Sequence, residues 1–426
     1  MRNRLAAVLL LIFILPSYFV AYGQKLVNSP YARFNLGILE PSGSFRSQGM
    51  GGTGTAIRDN SNLYYTNPAS YSSIDTNSFL FDFGIDYGIN ILSDGSSRHN
   101  SDDINFDHML LGFPILKGFG MGLGITTYSN GYYSISEAIG EDDPGYDPVT
   151  GRYIETHAGS GGITKFFIGS GIRMFKYFSA GVNLNLLFGK LNRTNQFDFT
   201  DYYNSYNNNS SENLRISGLN LDYGLQVEIP LKKDYFIIAG ASMGSGKKYK
   251  TNFEAISYRY SYYGTTDTIN WSADDSKSFI PGSIRTGLSF GKKNKFTGAF
   301  DYIITKWSES TLSGSEGYLA DTRSLRLGVE YIPEKYSNFN FLKRIEYRLG
   351  AHMDDNYLLI NGEQLKELGV SFGLGLPMRR TFSKANLFFD YTRRSGSGSL
   401  MHTENYFSVG ASLNLYDFWF EKRRYQ

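Results

Sequence analysis

The sequence predicts an all-β protein: a transmembrane antiparallel β-barrel of about fourteen strands, with an N-terminal hatch or plug segment in its lumen. Three observations carry that prediction. Apolar residues recur with period two over stretches longer than soluble strands usually reach. Connections between the stretches alternate between short and long. The composition holds 47 Gly in 426 residues, 16 % aromatics and 19 % charged residues, where ordinary domains carry ~25 % charged. That composition argues against a coiled coil, a helical bundle or a disordered chain. Absence of Cys removes disulfides, thiolate metal sites, Cys catalysis and lipoprotein acylation. With 42 basic and 40 acidic residues there is no global field for nucleic acid.

Residues 1–23 read as a signal peptide. Arg2 and Arg4 form the positive end, the run from Leu5 to Val20 is apolar and broken by Pro16, and Ala21-Tyr22-Gly23 supplies small residues where a signal peptidase reads them. The run is shorter than the ~20 residues a membrane anchor needs, so cleavage is expected before Gln24. No later stretch reaches ~18 uninterrupted apolar residues, so any further membrane span must be a strand.

Residues 24–76 do not alternate. They are polar and Gly-rich, with Gly49-Met50-Gly51-Gly52-Thr53-Gly54-Thr55-Ala56-Ile57-Arg58-Asp59-Asn60 followed by Asn67-Pro68-Ala69-Ser70. A fourteen-stranded barrel encloses a wide lumen that would leak unless filled, and a segment of this length fits inside it. Glycines on the lumen phase of the third and twelfth strands would leave room for it. A loose periplasmic tail is the alternative. The glycine cluster follows no strand and lacks a Gly-Lys-Ser/Thr ending, so it is not read as a phosphate loop.

The barrel itself is expected over 77–416. Its strands are placed at about 77–91, 103–116, 119–133, 160–174, 177–193, 213–231, 234–252, 278–291, 295–309, 322–333, 345–359, 365–377, 384–395 and 402–416. In the first, Phe79, Phe81, Phe83, Ile85, Tyr87 and Ile89 alternate with Asp and Gly positions. Period two gives one apolar and one polar face, and a sheet in lipid must close so that no backbone edge is left unpaired. Charges within strands should then face the lumen: Asp82, Asp86, Asp222, Glu228, Arg285, Asp301, Arg326 and Glu330, with Arg348 and Asp390, all fall on the polar phase. Lys117-Gly118 and Lys292-Lys293-Asn294 read as periplasmic turns, and 134–159, 194–212 and 253–277 as long external loops. An even strand count puts both termini on the periplasmic side. Tyr128, Tyr132, Tyr133, Tyr177, Phe178, Tyr235, Phe236, Trp307, Tyr391 and Tyr406 lie near strand ends and suggest an interfacial girdle. Residues 417–426 read as a basic periplasmic tail, suited to anionic head groups or a periplasmic partner.

These motifs, in this order, resemble the FadL/OmpP1/TodX family of outer-membrane transport barrels, in the branch typical of Bacteroidetes. The resemblance rests on Gly51-Gly52-Thr53-Gly54-Thr55-Ala56 with Asp59 and Asn67-Pro68-Ala69, on Leu111-Gly112-Phe113-Pro114 with Gly120-Met121-Gly122-Leu123-Gly124, and on Ile280-Pro281, Asp301-Tyr302 and Trp307-Ser308. It implies a hatch inside a fourteen-stranded barrel, with Gly51, Gly52, Gly54, Arg58, Asp59, Asn67, Pro68 and Ala69 as hatch or gating residues. It also implies passive diffusion of hydrophobic or amphipathic molecules of fatty-acid or aromatic type, with lateral exit through the wall. No pocket residue of the family can be matched. The external segments are polar: residues 137–155 carry Glu137, Glu141, Asp142, Asp143, Asp147 and Glu155 against Arg152.

Sites of other chemistry are weak. His99, His108, His157, His352 and His402 show no ligand spacing, and the acidic run from Glu141 to Asp147 lacks the spacing of a calcium loop. No cofactor, metal or catalytic residue is expected. Expected partners are outer-membrane lipid and lipopolysaccharide, a hydrophobic small molecule and proteins of an outer-membrane complex, but no nucleic acid. The leading expectation is a non-enzymatic channel. Its rival is a blocked barrel that docks partners in an outer-membrane secretion or barrel-assembly complex, and a barrel enzyme ranks third.

Overall fold

The computed structural model describes residues 29–93, 98–149, 151–201, 206–261, 264, 266–312, 318–360, 362–379, 381–396 and 402–418. The expected export signal and most of the expected tail lie outside the described residues. Fourteen strands form one antiparallel sheet: β1 (Ser78–Ser93), β2 (Arg98–Leu116), β3 (Phe119–Asn130, resuming as Tyr133–Ile139), β4 (Tyr153–Arg173), β5 (Phe178–Phe199), β6 (Tyr206–Pro230), β7 (Tyr235–Gly244, resuming as Lys247–Ser261), β8 (Thr266–Ile280, resuming as Ser283–Lys292), β9 (Phe296–Thr305), β10 (Thr322–Tyr331), β11 (Glu346–Ile360), β12 (Glu363–Pro377), β13 (Lys384–Ser395) and β14 (Thr403–Phe418). Each strand pairs with the next, and β14 closes on β1 from Phe418↔Ser78 to Thr403↔Ser93. The strand count matches the sequence expectation.

The apolar phase faces outward. On β1, Phe83, Ile85, Tyr87 and Ile89 are exposed while Asp82, Gly84 and Asn90 are buried. On β12, Leu368, Val370 and Phe372 are exposed and Ser371 is buried. In a bilayer these exposed side chains meet acyl chains, so the lumen keeps the polar phase. The girdle expectation needs correcting. Tyr177 and Phe178 lie at the turn end, but Trp307 and Tyr133 are buried, and Tyr128, Tyr132 and Tyr406 line an internal cavity. Strand phase, not nearness to a strand end, decides which way an aromatic points.

The long external loops also need correcting. Much of 134–159, 194–212 and 253–277 is strand. β5 runs 22 residues and β6 runs 25, against 10 each for β9 and β10. At ~3.4 Å per residue, β6 is roughly 85 Å long, far more than an apolar band of ~25 Å needs. Strands β4–β8 therefore stand above the membrane as a tall external wall. Its turn between β3 and β4 is held by Asp143, whose carboxylate accepts from the Gly140 amide at 2.7 Å, as a solvated turn would be.

Residues 29–77 lie inside the ring. Ser29 donates to Glu404 (2.5 Å) and the Tyr31 hydroxyl donates to the His402 carbonyl (2.6 Å), at the external end of β14. The segment then descends, pairs Ile38–Leu39 with Ser129 and Asn130 of β3, and reaches the turn end before β1. Strands β1 and β14 share the periplasmic end as expected, while the first described residue, Ser29, lies at the outer end. Bare wall glycines let it approach. A Cβ on Gly120 or Gly171 would overlap the backbone of Tyr71 or Pro68, one on Gly240 would overlap Thr55, and one on Gly350 would overlap Gly51. The room anticipated on the third and twelfth strands thus extends round the barrel.

Replacing Gly350 by Ala should lower stability by about 1–3 kcal/mol through this backbone overlap, read as a lower unfolding midpoint in urea. Gly298→Ala, whose added methyl meets only the Phe290 carbonyl at 3.8 Å, should leave that midpoint unchanged.

Candidate functional site

The inner segment is fastened to the wall by charge and by buried amides. Phe45–Gln48 forms a single helical turn whose Phe45 ring stacks on Phe388 (5.4 Å) and meets His108 edge-on (5.3 Å). That turn aims Arg46 at two carboxylates. Its guanidinium donates to Asp59 (2.6 Å) and, through two nitrogens, to Glu330 of β10 (3.1 and 2.8 Å). Glu330 also accepts from Arg348 of β11 at 2.8 Å. Arg348 reaches Glu346, which accepts from Lys384 of β13 at 2.5 Å. Every member is buried or nearly so, and paired charge is what makes such burial tolerable. Burial alone would push the Asp59 carboxyl up, but Arg46, Lys384 and the Ser61 donors hold it well below the usual carboxylate range.

Each expected hatch residue has a definite place. Gly51 and Gly52 take left-handed backbone (φ 68° and 80°), which favours glycine, and the Gly51 amide donates to Ser371 at 3.0 Å. The Gly54 and Thr55 amides both donate to one oxygen of Asp301 (2.8 and 2.9 Å). Arg58 donates to Gln226 (3.0 Å) and Ser72 (2.8 Å) and pairs with Glu228 at 3.3 Å. Asn67 is fully buried and caps the short helix Pro68–Ser73 by accepting from the Ala69 amide. Its side-chain NH₂ faces the carbonyls of Thr55, Leu225 and Ala241 (2.7, 3.1 and 3.3 Å), linking the inner segment to β6 and β7.

The expected lumen charges all face inward, in separate roles. Asp301, Glu330 and Glu228 grip the inner segment as described. Asp82 sits 3.5 Å from His108, and Arg326 pairs with Asp354 at 3.3 Å. Asp86, Asp222 and Arg285 line a cavity of about 350 Å³ on the outer side of the inner segment. A second cavity, about 710 Å³, opens on the periplasmic side and shares no lining residue with the first. An apolar layer roofs the outer cavity, where Tyr31 and Leu36 pack with Tyr249, Ile280, Trp307 and Tyr357.

Sequence reasoning missed Arg46, Glu346, Lys384, Lys165 and Glu40. Lys165 had a readable signal, since it falls on the phase opposite to the outward Phe166 and Ile168 on β4. The others sit in non-alternating segments or at strand starts, where phase is silent. Lys165 rests over the Tyr65 ring at 5.1 Å, and Arg285 donates to Ser42 at 2.8 Å. Neither forms an ion pair among the described residues. Among those residues there is also no cluster of His, Asp and Glu suited to a metal.

Fold, lipid-facing surface and filled lumen define a FadL-type outer-membrane β-barrel. The chain belongs to the family described as BamG, whose model matches residues 4–426. No curated protein matches its sequence. Solved structures share the fold at low identity. The P. putida toluene transporter TodX superposes with a TM-score of 0.61 at 13 % identity, covering 88 % of this chain and 98 % of that one. The CymD monoaromatic hydrocarbon channel gives 0.55 at 16 % identity, covering 90 % and 99 %. A Pseudomonas aeruginosa FadL homologue gives 0.56 at 10 % identity, covering 89 % and 98 %.

Two outcomes follow from the site. Glu330→Gln should cost about 3–5 kcal/mol, because Arg46 and Arg348 lose a shared buried counter-charge, and should lower the urea midpoint accordingly. Glu40, in the inner segment, has its carboxyl pushed from 4.5 up to about 8 by burial first, then by Asp103 and Asp107. The folded protein therefore holds a proton that the unfolded chain releases earlier. Its contribution to stability is complete below pH 4.5 and is lost as pH rises toward 8. Glu40→Gln should flatten the fall of the urea midpoint across that window.

Proposed function

We propose that the chain is a passive outer-membrane channel for hydrophobic or amphipathic small molecules, gated by residues 29–76 as a hatch. The observation that carries this reading is the outer cavity. Its 350 Å³ falls in the range of small-molecule sites, and it sets Tyr128, Tyr249, Ile280 and Trp307 against Lys165 and Arg285. Apolar surface beside charged groups of both signs, with Asp222 near the same two cations, suits a molecule with a greasy body and a polar head. Two proteins of the same fold are a monoaromatic hydrocarbon channel and a toluene transporter, and that class of cargo supports the greasy half of the match. A lateral exit fits the wall between β2 and β3, whose pairing ends at His108↔Thr126 although both strands continue outward. The reading is non-enzymatic.

A second reading is favoured by the buried ion chain from Asp59 through Arg46 and Glu330 to Lys384, which ties the inner segment to β10, β11 and β13. A lumen closed so firmly suits a subunit that docks partners in an outer-membrane secretion or barrel-assembly complex. The family name BamG, in the naming style of barrel-assembly subunits, accords with it.

Uptake of a fluorescent long-chain carboxylate by cells with and without the gene separates the two. The channel reading expects uptake to fall several-fold on deletion and again with Lys165→Gln. It also expects Asn67→Ala, which frees three carbonyls from one clamp, to speed swelling of liposomes in a small sugar. Unchanged uptake, with the barrel purifying at fixed stoichiometry in a larger assembly, would establish the docking reading instead.

A further inference from the structure

Beyond the lumen, the external wall ends in an unprotected edge. The outer part of β8, Thr266–Asp275, pairs with β7 on one side, from Tyr260↔Thr266 to Asn252↔Asp275. No described residue pairs with its other side along that stretch. All ten residues are exposed, including Ile269 and Trp271, which are 56 % and 61 % accessible. Outside the membrane this edge offers backbone donors and acceptors, with the two large apolar side chains of Ile269 and Trp271 exposed along it. Natural edges of this kind are blunted by proline, lysine or a bulge. Between Thr266 and Asp275 there is no proline and no lysine, and the one irregularity is a bulge at Ile269, where the register steps from Tyr258↔Thr268 to Ser257↔Asn270.

We infer that Thr266–Asp275 is a docking edge for an extended segment of another protein, one with basic residues at its ends and apolar residues opposite Ile269 and Trp271. Such a segment would add a strand to the wall, its main chain supplying affinity and its side chains specificity. The charge pattern selects the partner. Asp267 lies near one end and Asp274 and Asp275 near the other. Asp267 is paired with Arg259 at 2.9 Å and Asp275 is bonded to Asn252, so Asp274 is the acid most available to a newcomer. A second copy of this chain is disfavoured. Antiparallel self-pairing about the middle of the stretch sets Asp267 against Asp274 or Asp275, and like charges opposite one another destabilise a sheet. The inference holds whether or not the lumen conducts.

The test uses the full barrel in detergent and two synthetic peptides of alternating Val and Thr, one with Lys at both ends and one with Glu. Hydrogen exchange reads the Thr266–Asp275 amides. The Lys-ended peptide should slow their exchange with an affinity about tenfold above the Glu-ended peptide, and added salt should erase the difference. Trp271→Lys should abolish protection while the barrel keeps its heat-modifiable mobility on gels. Proline scanned through Thr268–Ser272 should block the peptide at the positions whose amide faces away from β7, without exposing the β7 amides. Equal binding of the two peptides, or no protection by either, would overturn the inference. So would disulfide-linked dimers formed through Ile269→Cys in this otherwise cysteine-free chain, since the edge would then serve a second copy.

Discussion

Backbone closure in lipid is the constraint on which the rest of this structure depends. An unpaired peptide group in hydrocarbon costs several kcal/mol, so a sheet there must return to its own first strand. The pairing of β14 with β1 over sixteen positions does this, and it forces an inside. Apolar side chains then take the lipid phase, and Asp, Glu, Lys and Arg are left with the lumen. Those charges need partners, because a lumen filled with protein does not solvate them as bulk water would. The inner segment supplies many of them: Arg46 for Glu330, Arg58 for Glu228, and the Gly54 and Thr55 amides for Asp301. Closure thus leads to a charged lumen, and the charged lumen to a fastened inner segment.

The fastening is uneven, and that bears on movement. One side of the inner segment is held by an ion chain that runs on through Arg348 and Glu346 to Lys384. Its removal in one piece would leave several buried charges unpaired at once. The side near Asn67 is held by neutral hydrogen bonds to carbonyls of β6 and β7, each a weaker tie, beside the single Arg58–Glu228 pair on β6. Wall glycines at 171, 181 and 240 let backbone meet backbone there, and Gly224 admits the Asn67 and Pro68 side chains. Any opening that leaves both the Arg46 chain and the Arg58–Glu228 pair intact must therefore begin at the neutral bonds of Asn67.

Much of the barrel was legible in the sequence because lipid writes a period of two wherever it touches a strand. The count of fourteen and the inward phase of Asp82, Asp301 and Glu330 follow from that period. The signal stops where both faces are wet. Residues 206–212, Tyr-Asn-Asn-Asn-Ser-Ser-Glu, carry no alternation and read as loop, yet they pair in β6 with β5 and β7. Aromatics misled for a related reason. Tyr406 lies near a strand end, but it shares phase with Ser408 and Gly410 and so turns inward. The glycine-rich inner segment announced itself by composition, whereas Arg46 did not. Its partner Glu330 is 284 residues away, and no local pattern records a contact of that range.

The height of the wall follows from the same constraint applied in reverse. Within the bilayer every strand needs two neighbours, and even the 10-residue β9 and β10 are paired on both sides. Above it, water satisfies a bare edge, so the ring no longer has to close. The cylinder accordingly gives way to an open crescent of β4–β8 with the end of β3. Its two borders are the outer parts of β3 (Tyr133–Ile139) and β8 (Thr266–Asp275), each paired on one side alone among the described residues. A sheet can be open only where solvent is, and only an open sheet can accept another strand. Binding through backbone is therefore possible for this barrel outside the membrane and excluded within it, which separates whatever the wall holds from whatever the lumen admits.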